Sequence, residues 1–112
     1  MNNTVNQQSF NGIKILDRSF FSDQRGSFSK FLSVESLHKL GVDFSVMQIN
    51  HSITSSAGSV RGMHFQKPPH HEKKLISCIK GRILDVAIDL RADSDTFLHY
   101  YCLELSGENK KM

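Results

Sequence analysis

Turn-forming residues punctuate this chain at intervals of about 8–12 residues, and the short runs between them alternate apolar with polar, a rhythm that suits a small β-sandwich or jelly roll. The alternation predicts strands over residues 12–16, 28–32, 44–50, 60–66, 74–79, 82–91 and 97–105. A strand period puts Val46, Gln48 and Asn50 on one face. It also sets Gly62, His64 and Gln66 against Arg61, Met63 and Phe65. Ser22-Asp23-Gln24-Arg25-Gly26 has the composition of a tight turn, with Gly26 free to take positive φ. Helix is expected only at residues 33–41. Ser33 is placed to cap it, Glu35 complements its positive end, Val34, Leu37 and Leu40 form its apolar stripe, and Gly41 ends it. Barely two turns long, such a helix needs packing to persist.

At 112 residues the chain is expected to form a single domain over 1–112, with the polar stretch 1–11 flexible. An apolar fraction of 38% is lean, and eight Phe supply much of the core's bulk. The net charge of +3 comes from scattered Lys and Arg with no block of five, which gives nucleic-acid binding little support and suits a cleft for anions. Cys78 and Cys102 sit in apolar runs, without the spacing of a metal site or a disulfide framework. The first ten residues lack an apolar core, so neither a signal peptide nor a membrane span is expected, and a cytoplasmic protein fits best. The runs 82–90 and 97–105 carry bulky groups on both faces, which calls for cover from a second copy or from further polypeptide.

The chemistry concentrates in Arg61-Gly62-Met63-His64-Phe65-Gln66 and in Lys74. A strand carrying Arg-x-x-His, a bend at Pro68-Pro69-His70-His71, and a Lys opening the next run would aim polar groups into one cleft. Imidazole suits proton transfer near neutral pH. The Lys74 ammonium suits an oxyanion. Together they fit removal of a proton next to a carbonyl, while Arg25 and Arg61 fit phosphate oxygens. Cupins, a jelly-roll class, often hold a metal through Gly-x5-His-x-His followed by Glu and Gly. Here Gly58, His64, Gln66, Glu72 and Gly81 nearly spell that pattern, but Gln66 replaces the second His and is a poor ligand for a transition metal. Adjacent His70 and His71 point to opposite faces of a strand, so no metal is expected and His64 is left to act as acid or base.

The ordered set Asp23-Gln24-Arg25-Gly26-x-Phe28, Gln48-x-Asn50-x-Ser52, Arg61 to Gln66 with Pro68-Pro69, Lys74-Leu75, Asp85-Val86-Ala87-Ile88-Asp89-Leu90-Arg91 and Ser94-x-Thr96-Phe97 resembles the dTDP-4-dehydrorhamnose 3,5-epimerase family from about Gly12 to Met112. The resemblance implies an all-β, cupin-like jelly roll, incomplete in this chain, with one short helix. It also implies a homodimer with no cofactor and no metal, and a dTDP-4-keto-6-deoxyhexose as substrate. His64 would remove protons flanking the C4 ketone and Lys74 would steady the enolate oxygen. Arg25 and Arg61 would hold the diphosphate, Phe28, Gln48 and Asn50 would line the nucleotide site, and Asp85 would support the charge network. Lys30 stands where the family usually has Glu, and Ile49 where Asp is common. The family's reprotonating Tyr and base-orienting Asp lie beyond the point matched by Met112, and Tyr100 and Tyr101 do not occupy that Tyr motif. Two other readings fit the same residues: a non-catalytic sugar-nucleotide-binding cupin or related 3-epimerase or ketoisomerase, and a dimerisation domain without chemistry.

Overall fold

The structure, a computed structural model, describes residues 11–43 and 45–112. The expected flexible stretch 1–11, apart from Asn11, and the first residue of the strand expected at 44–50 therefore lie outside the described residues. The elements run β1 (Phe20–Asp23), β2 (Gly26–Ser29), α1 (Val34–Lys39), β3 (Arg82–Ile88) and β4 (Tyr100–Ser106). Two antiparallel pairs result, β1 with β2 and β3 with β4.

The tight turn expected near Arg25 is the two-residue link between β1 and β2, where Asp23 faces Gly26 across the ladder and Phe21 faces Phe28. Gly26 takes φ +134°, a backbone state that L side chains rarely adopt. The Asp23 carboxylate accepts the Arg25 backbone N–H at 2.8 Å and closes the turn. The first strand is thus Phe20–Asp23 rather than 12–16. Residues 12–16 join a ladder only at their end, where Leu16 and Met112 exchange backbone hydrogen bonds of 2.8 and 3.0 Å.

The helix forms for the reasons its sequence suggests. Ser33 stays extended and its Oγ accepts the Ser36 N–H. Glu35 and Lys39 pair at 3.0 Å one turn apart. At the far end Gly41, at φ +70°, bonds back to the His38 carbonyl and Val42 to that of Leu37, a Schellman closure. Leu37, on the packed side, is buried.

β3 and β4 carry the longest ladder, with Ile83 opposite Leu105, Asp85 opposite Leu103 and Val86 opposite Cys102. They stop short of the expected limits of 91 and 97 because the pairing bulges. Leu98 donates its N–H to the Asp89 carbonyl at 2.7 Å, while Asp89 donates to the His99 carbonyl at 2.9 Å. Two residues thus oppose one, and Leu98 sits at φ +64°, the position glycine ordinarily fills in such a bulge. Beyond β4 the chain reverses tightly. The Ser106 N–H donates to Asn109 Oδ1, and Asn109 Nδ2 donates back to the Glu104 carbonyl. Gly107 is required there, since a Cβ would run into the Ile79 carbonyl oxygen. Leu37, Cys78, Leu105 and Met112 are the buried apolar side chains among the described residues.

Residues 45–79 differ from what the alternation predicts. None of the runs 45–50, 60–66 and 74–79 forms a strand. Backbone-to-backbone hydrogen bonds inside this stretch are confined to two turns, Ser59 to Ser56 and His70 to Lys67. A strand exists only as part of a ladder, and no other described segment pairs with these runs to complete one, although the turn at Gly107 passes Ile79. Their backbone polar groups therefore depend on water.

Candidate functional site

Five of the eight residues singled out from sequence, namely Gln48, Asn50, Arg61, His64 and Lys74, lie on this unladdered stretch, and all five are exposed. Gln48 and Asn50 are held together, Nε2 donating to Oδ1 at 3.1 Å, as their shared face requires. Arg61 reaches Thr54 Oγ1 at 3.4 Å. Between Arg61 and His64, Gly62 adopts φ +108°, which turns the backbone at that point. The His64 ring folds back over this glycine, its Nδ1 within 3.6 Å of where a Cβ would stand. Lys74 Nζ lies 3.9 Å from Glu72 Oε1, a loose pair whose two side chains are each more than half exposed. No hydrogen bond or ion pair joins His64 to Lys74 among the described residues.

Arg25 and Phe28 belong to the hairpin, where they line an open groove with Phe21, Asp23 and Ser27. The Arg25 guanidinium is already engaged, Nε and NH2 both reaching Asp23 Oδ2 at 3.1 and 2.6 Å. That contact draws the Asp23 carboxyl below its usual range and pushes the guanidinium up. An anion arriving at Arg25 must compete with Asp23 for the guanidinium. Phe28 is 73% exposed, a ring presented without cover. Asp85 sits mid-strand on β3, half-buried, and partial burial raises its pKa while the Val86 N–H works against that.

The most ordered polar cluster was not foreseen as a unit. Asp89, only 2% exposed, accepts from Arg91 Nε at 2.9 Å, Arg91 NH2 at 3.0 Å, Ser94 Oγ at 2.6 Å and Thr96 Oγ1 at 2.7 Å. The Arg91 backbone N–H also donates to it, at 3.0 Å. These donors, Arg91 foremost, outweigh the cost of burial and hold the carboxyl far below the ordinary carboxylate range. Arg91 NH2 continues to the Asn11 carbonyl, tying the start of the described chain to the same knot. The signal in sequence is the spacing Asp-x-Arg-x-x-Ser-x-Thr, an acid followed by donors on a short loop.

Charge is distributed unevenly. Residues 45–79 hold four Lys and Arg against one acid, whereas the rest of the chain holds ten against ten. The stretch without a ladder is thus the cationic part of the molecule, suited to an anion with several oxygens. Among the described residues no group of three or more His, Cys, Asp or Glu converges as metal ligands would. No helix among them is long and apolar enough to cross a membrane.

The family model for dTDP-4-dehydrorhamnose 3,5-epimerase matches residues 7–112. The chain belongs to this family. A family epimerase from Sinorhizobium fredii is 37% identical over 87% of this chain and 50% of its own, and one from Escherichia coli 37% identical over 88% and 54%. The crystal structure of the Bacillus anthracis epimerase, which holds TDP and pyrophosphate, superposes with a TM-score of 0.87 at 39% identity, covering 94% of this chain and 61% of that one. The Sulfolobus tokodaii epimerase gives 0.80 at 41% identity, over 88% and 55%. The chain therefore spans about half the length of the curated relatives it matches. The expected fold class, an incomplete all-β cupin-type jelly roll with one short helix, agrees with these neighbours.

Proposed function

We propose that the protein serves in epimerisation of a dTDP-4-keto-6-deoxyhexose at C3, C5 or both, within deoxysugar biosynthesis. The observation that carries this reading is the likeness to the Bacillus anthracis epimerase, which binds TDP and pyrophosphate, together with the cationic bias of residues 45–79. In the reaction His64 takes the proton from the carbon beside the C4 ketone. The C–H electron pair moves into the enolate, and the charge collects on the C4 oxygen. Lys74 donates a hydrogen bond to that oxygen, its best use of a localised charge. Returning a proton to the opposite face inverts the centre, and the acid for that step is left unassigned among residues 11–112.

Arg25 and Arg61 provide guanidinium donors for the diphosphate, and Phe28 with Gln48 and Asn50 recognises the nucleotide. The reading includes a homodimer and a cytoplasmic setting. For the dimer, the β1–β2 hairpin contacts none of the other named elements, yet carries Phe21 and Phe28 with about three-quarters of each ring exposed. For the setting, Cys78 and Cys102 are both free thiols.

Solvent-deuterium incorporation into dTDP-4-keto-6-deoxyglucose tests the chemistry. Exchange that disappears in His64→Ala while dTDP still binds identifies the base. A parent protein that binds dTDP without exchanging protons is a binding module and sinks the proposal.

A further inference from the structure

We propose that Asn11-Gly12 is a site of self-modification, where Arg91 promotes closure of the Asn11 side chain onto the Gly12 nitrogen and so converts the amide to a carboxylate. The sequence supplies the reactants. An Asn side-chain amide carbon stands a small-ring closure away from the next backbone nitrogen, and a following Gly has no Cβ to screen that nitrogen. Both residues lie in a turn and both are exposed, so water reaches them. Gly12 takes φ +109°, a value that no regular helix or strand uses.

The structure supplies the promoter. Arg91 NH2 donates to the Asn11 backbone carbonyl oxygen at 2.6 Å, and Arg91 NH1 lies 3.8 Å from where a Gly12 Cβ would stand. That carbonyl belongs to the same peptide unit as the Gly12 nitrogen. The nitrogen must lose its proton to attack, and amide resonance then spreads the negative charge onto this oxygen. A guanidinium already bonded to the oxygen holds the charged form more tightly than the neutral one, which is the condition for speeding the step. Asp89 keeps the guanidinium in place, through Nε at 2.9 Å to one oxygen and NH2 at 3.0 Å to the other. Asp89 also offsets part of the Arg91 charge, and Asp93 and Asp95, which line the same hollow, oppose a new anion. Those two are exposed and screened by solvent, whereas the Arg91 bond to the oxygen is direct.

The step needs no co-reactant but water. Base takes the Gly12 N–H proton, the nitrogen bonds to Asn11 Cγ, and the bond from Cγ to Nδ2 breaks. The proton goes to the leaving nitrogen, which departs as ammonia, and a succinimide remains. Water then opens either carbonyl of the ring, leaving aspartate or isoaspartate at residue 11. The net charge of +3 falls by one. The new carboxylate arises beside Arg91, where it competes with Asp89 for the guanidinium.

The test incubates the whole protein at mildly alkaline pH and follows residue 11 by peptide mass spectrometry, beside a synthetic peptide of residues 8–16. Residue 11 should convert at least about tenfold faster in the folded protein than in the peptide, a conservative return for one donor aimed at a developing oxyanion. Arg91→Gln should bring the protein's rate down to that of the peptide. Asn11→Gln, whose longer side chain closes a less accessible ring, should abolish the change. Equal rates in protein and peptide overturn the proposal. A slower rate in the protein does so too, since the hydrogen bond would then be a brake on the backbone. Arg91→Gln that keeps the parent's circular dichroism and converts at the parent's rate also overturns it. If that variant fails to fold, the comparison of parent with peptide decides alone.

Discussion

The β3–β4 hairpin and residues 45–79 lie side by side in one chain and represent opposite solutions to the same problem. The hairpin satisfies its backbone internally, closes its connection with the Asp89 knot and fixes its far end with the Ser106–Asn109 turn. The 45–79 stretch satisfies almost nothing internally, yet it carries His64, Lys74 and half of the residues singled out for binding. Support and chemistry are thus separated. Residues proposed to meet a ligand sit largely on backbone without a ladder, and a paired hairpin follows them in the chain.

The strongest way to break this contrast is at Gly107, where the turn after β4 passes the Ile79 carbonyl. Gly107→Ala forces backbone against backbone and should cost on the order of 2–3 kcal/mol, read as a lowered urea midpoint. An unchanged midpoint would mean that the two regions are not in contact there.

Acid should then dissolve the knot. The Asp89 carboxyl is depressed in the folded protein, so its contribution is complete above the unfolded carboxylate pKa of about 3.9 and fades as pH falls below that toward the much lower folded value. Melting temperature should therefore owe nothing to Asp89 titration between pH 7 and 5. Asp89→Asn should lower it at pH 7 and narrow its gap to the parent at pH 3. A gap that stays constant with pH would show the donors are not held by charge.

A smaller effect of opposite sign is expected at the bulge. Leu98 occupies a left-handed conformation that costs a branched side chain roughly 1 kcal/mol, so Leu98→Gly should stabilise the hairpin by about that much in chemical denaturation. The smallest effect belongs to the other region. Ile49→Ser should change the stability of the protein by itself by less than about 0.5 kcal/mol, because the side chain is 86% exposed. A large loss would mean that residues 45–79 are packed after all.

Local rules were readable where the chain settles its own needs. Ser33, Leu37 and Gly41 mark the helix because cap, stripe and stop all act within a few residues. Asp23 to Gly26 mark the turn for the same reason. Alternation in 60–66 shows which side chains share a face, but it cannot show whether another strand lies alongside, and there it predicted ladders that the described residues do not form. Asp89, Arg91, Ser94 and Thr96 are legible in the sequence as a motif but not as one knot, because a carboxylate among Ser and Thr resembles any solvated loop until burial is known. For the site, residue types suggested partners for the ligand, while the prior engagement of Arg25 by Asp23 depends on a turn geometry that composition leaves open.

One seam has a practical consequence. Leu16 and Met112 exchange hydrogen bonds, with Lys111 on Asp17 beside them, so two positions far apart in order are neighbours in space. Residues 16–112 thus close on themselves at this seam. Lys111→Glu, which sets like charges at Asp17, should speed amide exchange at Leu16 and Met112 together while the helix and both hairpins keep theirs.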